Sequence, residues 1–517
     1  MKRYPVRLTL MLLTLLSSVA LAKVDFELTT FSASSFSDFQ KLEAACSAPA
    51  ATSFWCSRLD AELSLIVTKS TDYFFDDNGS LVALFIKQTK GQNFKGNYKV
   101  DSNQNLIPVT SSAPGGAVFL DGETLEPETL QGAWERVSNE GAPAFQGRFQ
   151  YSLGDVQIDK TLLVKNAGHI IDVELRAARR AAEGADESGE DTVVQYVVPG
   201  IARAETPTFK LGRGDSFTVN PASQAENNPR YVSVQTHKRD TGNAIVLRPQ
   251  GDETGVAAQV LPPNLIALQT TLPSGPGEVT LALEAYLGQN ELVRYSQEGY
   301  LDLPGLFNPN ILGRISLGIL WILKRINELV GSWGITIILF SVLFRMMIWP
   351  LITAQTKSMY GMQDLQPKLQ ALQKKHKDDR EKLTQETMKL YKEAGVNPAG
   401  GCLPMLLQMP IFIILWRIFA NFEFGSGFLW LPDLGQADPY YILPLLYVGV
   451  MIAQSFFMAR GNPQSLRQQL LMNVVFVFLF INFPAGVILY YVVIMLIQVF
   501  QYWLIRRERP AVPAKAT

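Results

Sequence analysis

Ile335-Thr336-Ile337-Ile338-Leu339-Phe340-Ser341-Val342-Leu343-Phe344-Arg345-Met346-Met347-Ile348-Trp349 decides the fold. It belongs to an apolar stretch, 333–352, long enough to cross a bilayer as a helix, yet it carries Arg345. At 1.5 Å per residue that arginine lies about 18 Å from Trp333, inside the hydrocarbon. Its guanidinium keeps its proton at neutral pH, so it requires an acidic partner, headgroups within snorkelling reach, or water.

Four further apolar stretches follow, 401–420, 441–458, 470–481 and 486–505, which makes the second half of the chain a polytopic α-helical membrane protein. None of the five spans has Asp or Glu in its middle. A hydrated, functional arginine is therefore preferred to one that snorkels to the inner headgroups. Gln408, Gln454, Ser455, Asn473, Tyr490, Tyr491 and Gln498 are polar groups in the spans that can line the same cavity, although each alone also suits an interhelical hydrogen bond. Arg417 reads as an interfacial anchor. The stretch 470–481 is shorter than the roughly 30 Å hydrocarbon core, and a short span thins the bilayer around it. Asn482-Phe483-Pro484-Ala485-Gly486 is the turn into the last span.

Orientation follows the basic residues. Segment 353–399 carries nine Lys and Arg, Arg460 and Arg467 flank a second loop, and Arg506 and Arg507 open the tail 506–517, so these three are expected in the cytoplasm. Residues 421–439 have no Lys or Arg and suit the outer side. Residues 356–396 read as a cytoplasmic hairpin of two helices turning at Lys377-Asp378-Asp379, either simply solvated or a docking element. Ahead of the first span, Pro304, Gly305 and Pro309 form a hinge that leads into the amphipathic segment 305–331. There Ile311, Ile315, Ile319, Ile322, Ile326 and Leu329 fall on one helical face, with Arg314, Lys324, Arg325 and Glu328 on the opposite one. As a span this helix would bury four charges at about 2.5 to 3.5 kcal/mol each, so it is expected to lie along the interface.

Residues 25–301 differ in kind. Alternations such as Val156-Ile158-Lys160-Leu162-Val164 and Val279-Leu281-Leu283-Ala285-Leu287, broken by Asp77-Asn78-Gly79 and Pro273-Ser274-Gly275, predict an all-β domain. Residues 176–191 read as a solvated loop. The domain is preceded by 1–22, where Lys2, Arg3 and Arg7 lead into an apolar run that is either a cleaved signal or a first transmembrane anchor; both place 25–331 outside. Cys46 and Cys56 lie where a disulfide is permitted, and two buried thiols fit equally well.

The totals exclude several classes. Lys+Arg 46 against Asp+Glu 47, a net charge of -1, argues against nucleic acid as a direct ligand. Three histidines and three cysteines leave little for a metal site, and neither a phosphate loop nor a GxSxG or HExxH motif is present, so neither an enzyme nor a cofactor is expected.

The membrane half resembles the bacterial YidC/Oxa membrane protein insertases. The resemblance runs through Gly331-Ser332-Trp333-Gly334, Arg345, Trp349-Pro350-Leu351, Leu365-Gln366-Pro367-Lys368, Asn397-Pro398-Ala399-Gly400-Gly401-Cys402-Leu403-Pro404 and Leu407-Gln408-Met409-Pro410-Ile411-Phe412. It continues through Asp438-Pro439-Tyr440-Tyr441-Ile442-Leu443-Pro444, Phe483-Pro484-Ala485-Gly486 and Leu489-Tyr490-Tyr491. It implies a five-transmembrane-helix core, here 332–505, around a hydrophilic groove with its arginine at Arg345 and substrate contacts at Ser341, Phe412 and Tyr491. Residues 25–301 resemble, with less specific motifs, the periplasmic β-supersandwich of the long bacterial members. Two departures stand out: Arg417 occupies a position that is often apolar, and a short tail counts against tail-mediated ribosome docking.

The function expected is a membrane protein insertase and chaperone of the bacterial inner membrane, working without nucleotide hydrolysis. Its groove would hold Arg345, Ser341, Gln408, Phe412, Gln454, Asn473, Tyr490 and Tyr491. Nascent membrane proteins would be the substrates, with membrane lipids, the Sec translocon and the ribosome as further candidate partners. The alternative is an anion or solute transporter binding at Arg345; it predicts inverted repeats with broken helices, which the sequence does not display.

Overall fold

The computed structural model describes residues 26–32, 62–87, 106–108, 116–125, 134–139, 141–166, 168–180, 190–199, 208–235, 242–251, 255–261, 265–377, 379–394, 403–459, 466–467, 469–471 and 480–508. The expectations for 1–22, Cys46, Cys56, Asn473, most of the stretch 470–481 and most of the tail lie outside them. The chain forms two compact units, Met1–Pro309 and Asn310–Thr517.

The first unit is built from three antiparallel sheets of five, nine and six strands. In the nine-stranded sheet the order runs Ser216–Val219, Thr208–Arg213, Tyr231–Gln235, Asn243–Pro249, Gly277–Gln289, Ile170–Arg179, Val156–Lys165, Ala142–Leu153, Trp134–Asn139. Period-2 alternation makes these strands: every second residue of Val156–Lys165 is buried, and Ile158, Leu162 and Val164 join Val173, Leu175, Leu247 and Leu283 in one core with Val194, Val198, Ile266 and Leu268 of the six-stranded sheet. One expectation is corrected. Residues 176–179, assigned to a loop for their charge, complete a strand, with Arg176 opposite Thr280 and Arg179 opposite Gly277; on an exposed sheet face charged side chains replace the apolar signal that periodicity needs.

After the last strand a short helix, α1 (Leu292–Gln297), is capped by Glu291, which accepts from Val293 N at 2.6 Å. The chain beyond it is strapped to the sheet. Lys210 Nζ donates to Gly305 O at 2.8 Å and Leu306 O at 3.1 Å, Tyr231 Oη to Pro304 O at 2.7 Å, and Gln235 Nε2 to Leu306 O at 3.1 Å. Leu303 and Leu306 are buried there, so the β unit reaches Pro309 instead of ending at Leu301.

The second unit is helical: α2 (Ile311–Val330), α3 (Trp333–Asp364), α4 (Gln366–Lys375), α5 (Arg380–Glu393), α6 (Leu403–Asn421), α7 (Ile442–Ala459) and α8 (Ala485–Glu508). Among the described residues two stretches, Trp333–Thr356 and Ala485–Ile505, are long and apolar enough to cross a membrane. Asn310 caps α2 by accepting from Gly313 N at 2.8 Å, and Gly331 ends it with φ +70°, a conformation glycine adopts without strain.

Helix α2 has three faces where two were expected. Gly313, Ser316, Ile319, Leu320 and Leu323 are buried, and the helix packs on α3 and α6. Ile311, Ile315, Ile322 and Leu329 form an exposed apolar face beside them, and Arg314, Arg325 and Glu328 a charged one. Helix α3 also exceeds its expected length, continuing through Pro350 to Asp364 instead of ending near Ile352. Helices α4 and α5 face each other across a cleft of about 370 Å³ lined by Lys368, Leu372, Lys375, Glu386, Leu390 and Glu393.

Candidate functional site

Arg345 is only 2% exposed, whereas Val342, Leu343, Met346 and Met347 beside it on α3 are exposed apolar side chains. The guanidinium thus points into the bundle. Its Nη2 donates to Gln501 Oε1 of α8 at 2.9 Å, while its Nε is buried without a hydrogen-bond partner. No carboxylate lies within ion-pair distance of it among the described residues. Gln501 is fixed in turn: its Nε2 donates to Thr353 Oγ1 at 2.8 Å and to Trp349 O at 3.2 Å.

Ser341, one turn before Arg345, is fully buried and donates to Ile337 O at 2.6 Å. Tyr490 is also fully buried; its ring lies 6.4 Å from Phe340 and 6.5 Å from Phe344, and its hydroxyl has no hydrogen-bond partner. Tyr491 accepts from Gln408 Nε2 at 3.2 Å. The Phe412 ring packs 5.9 Å from Tyr491, 5.8 Å from Phe480 and 5.6 Å from Phe483. Gln454 keeps a buried, unpartnered Oε1 on α7. Two groups therefore form, Arg345 with Gln501 and Gln408 with Tyr491 and Phe412, with Tyr490 touching the Tyr491 ring at 5.2 Å.

Sequence reasoning missed Gln501 and Gln355, a second buried amide whose Oε1 and Nε2 both lack partners. A signal for the first existed: Tyr490, Ile494, Ile497 and Gln501 share one face of α8 at helical spacing. Among the described residues no group of three His, Cys, Asp or Glu could hold a metal ion.

The connection from α6 to α7 closes one end of this arrangement. Asp438 accepts from Trp430 Nε1 at 3.2 Å, Tyr440 N at 3.0 Å and Leu443 N at 2.7 Å, so it caps α7. Ala485 N and Gly486 N, the first donors of α8, go to Gln436 O at 2.6 Å and Leu434 O at 2.8 Å. Trp333, at the start of α3, packs 4.8 Å from Phe422 and 5.6 Å from Phe424. The first turns of α3, α7 and α8 are thereby tied to one loop.

Residues 325–512 match the family model described as 60Kd inner membrane protein. The membrane protein insertase YidC of Deinococcus radiodurans is 33% identical over 369 residues, which cover 70% of this chain and 82% of that protein. The chain belongs to the YidC insertase family. Another relative, the membrane protein insertase YidC of Pseudomonas fluorescens strain SBW25, is 36% identical over 287 residues, 55% of this chain and 48% of that one. The fold agrees as well: a crystal structure of active YidC insertase with its first transmembrane domain resolved, 20% identical, is matched over 96% of this chain and 98% of that one with a TM-score of 0.55. The family model is one of inner membrane proteins, so the bacterial inner membrane is where this YidC-family chain belongs.

Proposed function

We propose that this chain inserts newly made membrane proteins through a hydrophilic groove centred on Arg345, without hydrolysing nucleotide. In this reading the five spans of 332–505 form the core, 25–331 lies outside with its sheets as a β-supersandwich, and 353–399 and the tail are cytoplasmic. The observation that carries it is a permanently charged side chain, 2% exposed, on an apolar helix and answered by a neutral amide. Such a charge is costly in hydrocarbon, and with no carboxylate within ion-pair distance among the described residues it calls for water as its solvent. The unpartnered polar atoms of Gln355, Gln454 and Tyr490 support the same inference, because buried polar groups otherwise find partners.

The physics of the task follows. Carrying a polar segment through hydrocarbon costs several kcal/mol per unsatisfied group. Water partway across, in a bilayer thinned by a short span, shortens that path, and the substrate's apolar helix gains lipid burial as it leaves. The loop that ties the outer turns of α3, α7 and α8 leaves entry to the cytoplasmic end. Ser341, Gln408, Phe412, Gln454, Asn473, Tyr490 and Tyr491 would line the groove, Phe412 and Tyr491 offering ring contacts that a departing helix exchanges for lipid. Nascent membrane proteins are the substrates; the Sec translocon and the ribosome are proposed partners.

The test is accessibility together with insertion. A cysteine replacing Gln408 should react with a membrane-impermeant thiol reagent from the cytoplasmic side. Arg345→Ala should lower insertion of substrates with acidic translocated segments by roughly tenfold, equivalent to about 1.4 kcal/mol. Complete protection of that cysteine in an active protein, with full activity of Arg345→Ala, would overturn the proposal.

A further inference from the structure

The contacts of Gln501 are asymmetric in a way that fixes its amide. Thr353 Oγ1 spends its proton on Trp349 O at 2.9 Å, so both groups facing Gln501 Nε2, Thr353 Oγ1 and Trp349 O, present lone pairs. The flipped amide would set oxygen against Trp349 O and N–H against a guanidinium that only donates, so Oε1 faces the guanidinium. Gln501 is wholly buried and links α8 to α3 at three points.

We propose that Gln501 is the positioning residue of the groove: a neutral carboxamide that holds Arg345 in place without cancelling its charge, and that a substrate carboxylate displaces. This rests on the groove reading above. A guanidinium offers five N–H donors in a planar fork; Gln501 takes one, and Nε is unspent. A carboxylate can take two in parallel, and charge-assisted bonds are roughly twice as strong as neutral ones, so the exchange favours the substrate. A glutamate at 501 would pair with the guanidinium and cancel its charge, weakening its hold on an incoming acidic segment. Gln501 thereby sets the preference for acidic translocated segments as well as the place of the cation.

The experiment reconstitutes the full chain in liposomes and measures insertion of two substrates that differ only in the charge of the translocated segment, one acidic and one neutral. The readout is the ratio of the two yields, which a merely structural role would not move. Gln501→Glu is nearly isosteric but sets an oxygen against Trp349 O, so insertion of both substrates falls; the ratio, which divides out that common loss, should fall about tenfold, as it does in Arg345→Ala. Gln501→Asn keeps a neutral amide but shortens its reach, and should lower the ratio in the same direction. It decides the matter if the glutamate variant does not fold. An unchanged ratio in whichever variants fold, or equal losses for both substrates, would overturn the role of Gln501 while leaving the groove standing if Arg345→Ala still changes the ratio. An unchanged ratio in Arg345→Ala would remove the groove reading and this inference with it.

Discussion

Lys160 shows how one residue can sit against its pattern and still be satisfied. It occupies an inward position of Val156–Lys165, wholly buried, with Nζ donating to Gly116 O at 2.7 Å and Gly79 O at 3.0 Å and lying 3.4 Å from Tyr151 Oη. Three acceptors suit an ammonium, since Tyr151 Oη gives its own proton to Asn78 O at 3.3 Å, but burial works against the charge. Burial pushes its pKa from 10.5 down to about 7, with Asp76 offsetting part of the fall. In the unfolded chain this lysine keeps its proton to about 10.4, so between pH 7 and 10 the unfolded state binds more protons and stability climbs with pH. Below that window both states are charged and the slope vanishes. Lys160→Met should remove the climb: thermal melts of the full chain from pH 7 to 10 should show the parent gaining on the variant by up to ~1.4 kcal/mol per pH unit. At Arg345 the matching substitution is Arg345→Lys, which keeps the charge but not the planar fork; insertion assays should place it between the parent and Arg345→Ala. Both cations were legible in the sequence because a charge interrupts an apolar pattern. Gln501 left a weaker trace, its helical spacing with Tyr490, Ile494 and Ile497, and its bonds to α3 are what give it a partner.

At the scale of elements, length was harder to read than existence. Pro350 and the polar run from Thr353 suggested an end to the first span, yet α3 passes both, with Thr353 and Thr356 returning their hydroxyls to Trp349 O and Ile352 O. The third face of α2 was also hidden, since Gly313 and Ser316 carry no hydrophobic signal although they permit close packing. Small residues at element contacts give the sharpest test. A Cβ at Gly334, in the first turn of α3, would lie 2.0 Å from Phe428 Cγ, near the ring's attachment and hard to displace. Gly334→Ala should cost about 1–3 kcal/mol and lower the melting temperature in detergent. Gly318 on α2 meets nothing within 4 Å, so Gly318→Ala should instead be neutral or stabilise by roughly 0.5–1 kcal/mol. Equal effects at the two positions would mean that helix propensity, not the fit to Phe428, governs that end of α3.

At the scale of the whole molecule, the contrast between alternating and continuous apolar sequence separated a β unit from a helical one, but it could not say where one stops. The composition changes at Leu301, while the hydrogen bonds of Lys210, Tyr231 and Gln235 hold Pro304, Gly305 and Leu306 on the sheet. Those contacts join residues about 70 to 95 positions apart, which no local pattern records. They bear on how the β unit is removed. A deletion of 25–301 leaves Leu303 and Leu306, 5% and 1% exposed in the intact chain, without the surface that buries them. A deletion of 25–309 removes the strap with its seat and resumes at Asn310, the cap of α2. If the helical unit carries insertion, the second chain should insert a test protein in liposomes at a rate close to the parent's, and the first should do so with more aggregation, read by size-exclusion chromatography in detergent. Loss of insertion in both, with the helices folded, would mean that the β unit takes part in insertion itself. Equal behaviour of the two would mean that the strap matters only to the sheet it crosses.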